Sequence, residues 1–387
     1  MRTKSLLALA LAAAAASAAR PAAAAPIKIG FVNSVTGPEA PIGEALTNGA
    51  NLAVDDLKKK GIDVNLIRQD DTGKPQVAMS ALEQLATGDE VPMVVGPYAS
   101  APANAMAKLA EQYKVPLLIP VASKEDITRQ GYQWVFRLNA PSHDYAQQLI
   151  NAALTLGKPK TIAVIYESTD FGSSGSTQAK EYAAKKGMKV VADEAYQKGA
   201  PDYRSTLTKI KSLNPDLVFM VSYVADAILL MRQSREVGLK PLAFLGAGAG
   251  FDTIQFQSEK DISSNVLVVT QWMPDSGWPG AADFAKAYEA RFGKRPTYHA
   301  ATAYEAVMIA GDVVSKSGGD RKKVRDTLAS GTWHGIMGEV LFKTYEGFTN
   351  QNPHQMLVFQ YQNGVPVPVY PAQFAKGKAV FPFPGWK

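Results

Sequence analysis

Short apolar runs alternate along this chain with stretches whose apolar positions recur every three or four residues. The first pattern predicts buried strands and the second predicts helices with one buried face. Ile27 to Val32 reads as a strand, and Thr36-Gly37-Pro38 as a turn. Ile42, Leu46, Ala50, Ala53 and Leu57 then mark one face of a helix that stops at Gly61. Val64 to Ile67 is a second strand closing in Asp70-Asp71-Thr72-Gly73, and Pro75 opens a second helix. The alternation restarts beyond residue 140. Strands are predicted at Ile162–Tyr166, Lys189–Ala192, Asp216–Val221 and Ala243–Leu245, with helices between them. Residues 266–274 form a further strand followed by a second candidate crossing; helices follow at 280–292, 300–315 and 320–330, then a β-rich tail. Strand–helix alternation of this kind argues for parallel sheets wrapped on both faces. Two such runs, joined by crossing segments near Pro141 and Trp272, predict two α/β lobes with a cleft between them.

Residues 93–123 are the stretch on which the reading turns. Met93-Val94-Val95 ends in Gly96-Pro97, and Ser100 stands where a helix begins. A second buried run, Val115 to Ile119, ends in Pro120-Val121-Ala122-Ser123. In open α/β sheets, ligands sit beyond the carboxyl ends of the strands. A helix N-terminus there offers free N–H donors and partial positive charge, which suits a small carboxylate. Each serine is equally a common cap for its own helix.

Composition narrows the field. A basic lead with Arg2 and Lys4, an apolar run from Leu6 to Ala19 and small residues to Ala25 read as a secretory signal peptide over 1–25. Cleavage after Ala18 or Ala24 fits better than placing Pro26 first. The chain has no cysteine. That rules out disulfides, thiol catalysis and a lipid-anchoring cysteine, so a periplasmic protein free of a lipid anchor is expected. Without Arg2, Lys4 and Arg20 the basic residues fall from 41 to 38 against 35 acids. So mild a balance does not suit nucleic acid.

Catalytic readings are weak. Gly246-Ala247-Gly248-Ala249-Gly250 follows a strand but breaks the dinucleotide-loop spacing. A turn giving a ligand close backbone approach at Gly248 fits better. His143, His299, His334 and His354 lack metal-ligand spacing, and surface or capping roles are expected for them. Trp272 and Trp278 could stack on a ring in the cleft, although packing beside the crossing is the commoner fate. No enzyme activity, cofactor or metal is expected.

Thr36-Gly37-Pro38 with Gly43, Asp70-Asp71 with Pro75, Val95-Gly96-Pro97, Val115-Pro116, Phe171-Gly172, Pro215-Asp216, and Arg232-Gln233 with Gly238-Leu239 run in one order along the chain. In this order the chain resembles the Leu/Ile/Val-binding family of periplasmic solute-binding proteins that feed ABC importers. The resemblance implies α/β architecture, with two doubly wound parallel-sheet lobes joined by a three-segment hinge and the ligand cleft between them. The boundaries expected are 26–140 and 273–343 for the N-terminal lobe, and 141–272 and 344–387 for the C-terminal lobe. It further implies that Ser100 and Ser123 hold a ligand carboxylate, with Val121 and Ala122 beside them. Phe171 and Tyr223 would reach across from the second lobe, Ile42 would line the mouth, and Tyr98 would join the pocket. Permease subunits in the inner membrane would be the partners of a monomer. One departure bears on the ligand. Amino-acid binders of the family pair the ligand ammonium with an acid after the strand equivalent to Phe244-Leu245. Glycine and alanine stand there instead, with Asp252 the nearest carboxylate. An unpaired buried ammonium is costly. A carboxylate with an aromatic or branched aliphatic body is therefore expected. A true Leu/Ile/Val or other amino-acid binder is the alternative, admissible if Asp252 turns into the cleft. A sensory partner of a membrane receptor is the other alternative.

Overall fold

A computed structural model describes residues 25–386, so the expected signal peptide lies, but for Ala25, outside the described residues. Two seven-stranded sheets organise the described chain. In the first, Ile27–Asn33 is flanked by Val64–Asp70 and Val94–Val95, and the sheet continues through Leu117–Ile119, Val135–Arg137 and Phe348–Gln351 to Lys343–Tyr345. Every pairing is parallel except the last hairpin, Lys343–Tyr345 with Phe348–Gln351. In the second, Thr161–Glu167 lies between Lys189–Tyr196 and Leu217–Val221, followed by Ala243–Gly246, Leu267–Thr270 and the antiparallel hairpin of Leu357–Gln362 and Val365–Tyr370. The central strands are apolar because helices cover both their faces: all of Leu217–Val221 is buried.

The chain changes sheet three times. It leaves the first after Arg137, returns after Thr270 and crosses again after Gln351. This corrects the expected third boundary at 343/344, because both strands between 343 and 351 still pair within the first sheet. Their polar sequence, Lys-Thr-Tyr and Phe-Thr-Asn-Gln, hides the pairing. It is anchored by Gln351, whose Oε1 accepts from Arg137 Nε at 2.6 Å and from Thr128 Oγ1 at 3.1 Å. The three crossings are tied together. Asn352 Nδ2 donates to the Leu138 carbonyl at 2.9 Å, the Ala140 N–H donates to Gln271 Oε1 at 3.3 Å, and His354 Nε2 lies 2.6 Å from the Gln271 carbonyl.

Helix Ala40–Lys59 packs along helix Tyr298–Ser317 on the first sheet. They meet at Gly49, where an added Cβ would stand 2.1 Å from the Ala300 carbonyl oxygen. That close approach sets the depth of Tyr298, the first residue of its helix. No helix among the described residues is long and apolar enough to cross a membrane.

Candidate ligand-binding cleft

The strand Val94–Val95 runs into helix Ser100–Tyr113 through a buried turn. Ala99, extended at φ −81° and ψ 148°, is the N-cap, and no side chain caps the helix. Ser100 is thus the first helical residue rather than its own cap, and its Oγ accepts from the Lys124 N–H at 3.3 Å. Ser123 ends the neighbouring turn. Its carbonyl accepts from the Ser142 N–H at 2.8 Å and the Ser142 hydroxyl at 2.9 Å, and the two serine hydroxyls are 3.4 Å apart. Neither serine closes its own helix end, so both hydroxyls stay at the carboxyl edge of the sheet, beside free helix N–H groups.

The lobes meet over these turns. From the first come Tyr98, Ser100, Val121, Ala122 and Ser123, with Tyr298 beside them. From the second come Tyr145, Phe171, Tyr223 and Ala249. The Phe171 and Tyr223 rings lie 5.2 Å apart, and Tyr98 lies 5.7 Å from Tyr223 across the gap. The Tyr223 hydroxyl accepts from the Ser100 backbone N–H, so a second-lobe side chain rests on the first-lobe helix end. The rings nearly fill the cleft. About 10 Å³ remains for the centre of a water molecule, the space of a single water. Outside the rings, polar contacts bridge the lobes: Glu39 pairs with Lys198, whose Nζ sits 4.3 Å from the Tyr223 ring, and Lys124 pairs with Asp170 at 2.9 Å. This is a shut clamshell.

No charged side chain lines the cavity. Asp252 is buried away from it, accepting from Thr270 Oγ1 at 2.6 Å and facing Arg295 at 3.6 Å. Burial raises its carboxyl above the usual range, against the opposing pull of Arg295 and Thr270. Glu167 lies behind Tyr223, accepting its N–H at 3.1 Å and the Thr169 hydroxyl at 2.6 Å. Burial lifts it to about 7 in spite of those bonds. The carboxylates nearest the cleft are thus committed to protein partners.

Seven of the nine residues expected at the site line the cavity; Ile42 and Gly248 do not. Ile42 is buried on the helix that begins at Ala40 and faces a separate crevice with Thr253 and Tyr288. Gly248 turns at φ +58°, and an added Cβ would stand 2.6 Å from Tyr145 Cε1, so it seats Tyr145 while Ala249 faces inward. Trp272 packs edge-on to Phe284, and Trp278 packs on His354 and Phe374. His143, His299 and His354 are not at the surface. Burial holds His299 down at about 3 and His354 at about 4, both neutral. Tyr145, Ala249 and Tyr298 are cavity residues that sequence reasoning missed. Tyr145 and Tyr298 stand in the first turns of their helices, beside Ser142 and Thr297, with nothing in the local sequence to mark them.

Known proteins agree with this architecture. The periplasmic binding protein family model matches residues 26–365. A Leu/Ile/Val-binding protein homolog 7 from Brucella suis is 29% identical over 378 residues, covering 90% of this chain and 92% of the relative. A branched-chain amino acid transporter substrate-binding protein from Streptococcus pneumoniae, in complex with isoleucine, superposes with a TM-score of 0.80 at 23% identity, over 92% of this chain and 100% of that one. A solute-binding protein of an ABC transporter from R. palustris, in complex with benzoate, gives 0.80 at 21%, over 89% and 95%. The chain therefore belongs to the periplasmic binding protein family, with the two-lobed type I fold of its branched-chain amino acid-binding members.

Proposed function

We propose that this protein is the periplasmic substrate-binding component of an ABC importer, and that it carries a small carboxylate with an aromatic or branched aliphatic body. The observation that carries the reading is the lining of the cleft: helix-end N–H groups and serine hydroxyls on one wall, rings on the other, and no carboxylate among them. An anion gains charge-assisted hydrogen bonds there, about 1.5–3 kcal/mol each. An ammonium would be buried without a counter-charge, at a cost of several kcal/mol, roughly. The similar isoleucine-bound and benzoate-bound structures keep both ligand classes in view; the position of Asp252 favours the second.

In the working cycle, the open lobes take the carboxylate on the Ser100 and Ser123 turns. The Tyr223 hydroxyl must leave the Ser100 N–H as the ligand's oxygen arrives. Phe171 and Tyr223 then pack on the ligand body, a contact available only on closure, so binding favours the shut form by differential affinity. Permease subunits recognise that form, and the mature monomer reaches them in the periplasm through its signal peptide. A competition titration tests the ligand class. Benzoate or 4-methylpentanoate is expected to bind with a micromolar constant, of order −8 kcal/mol, and leucine at least ~100-fold more weakly, the loss set by its unpaired ammonium. Tight leucine binding would return the protein to the amino-acid binders.

A further inference from the structure

The hydroxyl groups in the cleft carry more protons than the protein has acceptors for. Tyr145 Oη accepts from Asn139 Nδ2 at 3.1 Å and from Gln271 Nε2 at 2.9 Å. Neither amide can be turned over. Asn139 Nδ2 also donates to the Val121 carbonyl, and Gln271 Oε1 accepts from the Ala140 N–H. A carbonyl only accepts and an N–H only donates, so both nitrogens must face Tyr145. The two lone pairs of Tyr145 are therefore filled. Its hydroxyl neighbours that of Tyr298, whose oxygen accepts from the Ala249 N–H at 3.2 Å. If Tyr145 donates to Tyr298, the oxygen of Tyr298 is full and its proton has no acceptor. Tyr298 cannot donate in return, because the Tyr145 oxygen is already full; without the Tyr145–Tyr298 bond both protons are left over. Either way at least one phenol proton at this end of the cleft has no partner within the protein. Tyr98 adds a second: its hydroxyl is buried and makes no hydrogen bond. All three tyrosines line the cavity. Buried phenols without partners are uncommon, because each costs about 1–3 kcal/mol.

These donors have partners other than the groups at the carboxylate end. Ser100 and Tyr223 are joined to each other, whereas Tyr298 is joined to Ala249 and Tyr145. Tyr98 lies between, with its ring 5.7 Å from Tyr223 and 5.6 Å from His299, the residue after Tyr298. At this end the cleft places hydroxyl donors. They require an acceptor.

We propose that the cognate ligand is a carboxylate bearing a second, uncharged oxygen, a hydroxyl or a carbonyl, which takes hydrogen bonds from Tyr98 and from the Tyr145–Tyr298 pair. This rests on the carboxylate reading above and sharpens it. An oxygenated aromatic acid and a branched oxo acid share this chemistry, and matched pairs tell them apart. Benzoate against 4-hydroxybenzoate, and 4-methylpentanoate against 4-methyl-2-oxopentanoate, differ only in the added oxygen. Each is titrated calorimetrically into the wild type, Tyr98→Phe and Tyr298→Phe. In at least one pair the oxygenated member is expected to bind the wild type tenfold or more tightly, roughly, because a site built around hydrogen-bond donors rejects the analogue lacking the acceptor. Both phenylalanine variants should erase that preference, read as the ratio of the two affinities within each pair. Tyr98→Phe removes a hydroxyl that bonds to nothing in the protein, so its folding is not at risk. Equal affinities within both pairs would overturn the inference while leaving the carboxylate reading standing. So would a preference that survives both variants, whatever they cost the parent acid. Binding of leucine alone would remove the carboxylate reading and this inference together.

Discussion

The two walls of the cleft are built on different principles. The first-lobe wall is main chain and small hydroxyls: the start of helix Ser100–Tyr113, the turn at Ser123 and the buried Val121 and Ala122. Its residues all belong to one lobe, at the ends of its strands, so its geometry does not depend on the other lobe. The second-lobe wall is ring surface, Phe171 and Tyr223, each near the start of its own helix. It meets the first lobe in this shut form, with Tyr223 against Tyr98. In the proposed cycle the rigid polar wall gives orientation, and the moving aromatic wall supplies apolar burial. An aromatic side chain buries 150–250 Å², which at ~25 cal/mol per Å² exceeds the contribution of a single hydrogen bond.

That inequality can be broken by substitution. Tyr223→Ala should cost most. It removes the ring between Phe171 and Tyr98, and is expected to weaken carboxylate binding by about 100-fold or more, as loss of a buried aromatic anchor does. Small-angle scattering should then show no compaction on ligand addition. Ser100→Ala should cost less, about 10–100-fold for one charge-assisted hydrogen bond. Its melting temperature should stay near that of the wild type, because Ser100 does not cap its helix. If Ser100→Ala proved the more damaging, the division between the walls would be reversed.

Smaller effects should come from the bridges outside the rings. Lys198→Met leaves Glu39, 2% exposed in the shut form, without its partner. Opening restores water to that carboxylate, so the substitution should shift the lobes toward open. Lys198 is itself one-third exposed, and an affinity loss of about five- to tenfold is expected by titration. The smallest effect is set by pH. Burial alone would lower the His143 pKa, but hydrogen bonds and charge from Asp144 and Glu125 outweigh it and raise it to about 9. A histidine held above its unfolded value of about 6.5 stabilises the fold fully below that value. The contribution fades as pH rises through 9. Because Glu125 lies in the first lobe and His143 on the first helix of the second, alkaline pH loosens a contact between lobes. The melting temperature should fall from pH 7 to 9.5 by a few degrees more in the wild type than in His143→Gln, the size typical of a contribution of about 1 kcal/mol.

Strand–helix alternation made both sheets legible and placed Ser100 and Ser123 at strand ends; the family resemblance, not the alternation, added Phe171 and Tyr223 from the second lobe. What stayed hidden depended on phase and partner. Ile42 keeps a helical spacing that marks it as buried but not which neighbour buries it. The strands 343–351 are polar enough to read as tail, and only Gln351 meeting Arg137 reveals their sheet. Tyr145 and Tyr298 each stand in a first helical turn of ordinary composition. Their meeting depends on how deeply Gly49 lets helix Tyr298–Ser317 settle and on Gly248 making room for the Tyr145 ring. Contacts between residues so distant in sequence carry no periodicity to read.

The most direct measurement is a crystal structure of the shut protein with a bound carboxylate acid. The expected result has the carboxylate oxygens within hydrogen-bond distance of the Ser100 N–H and hydroxyl and of the Ser123 hydroxyl, the body against Phe171 and Tyr223, and Asp252 still on Thr270. A ligand lodged outside these turns, or an amino group drawn onto Asp252, would contradict it.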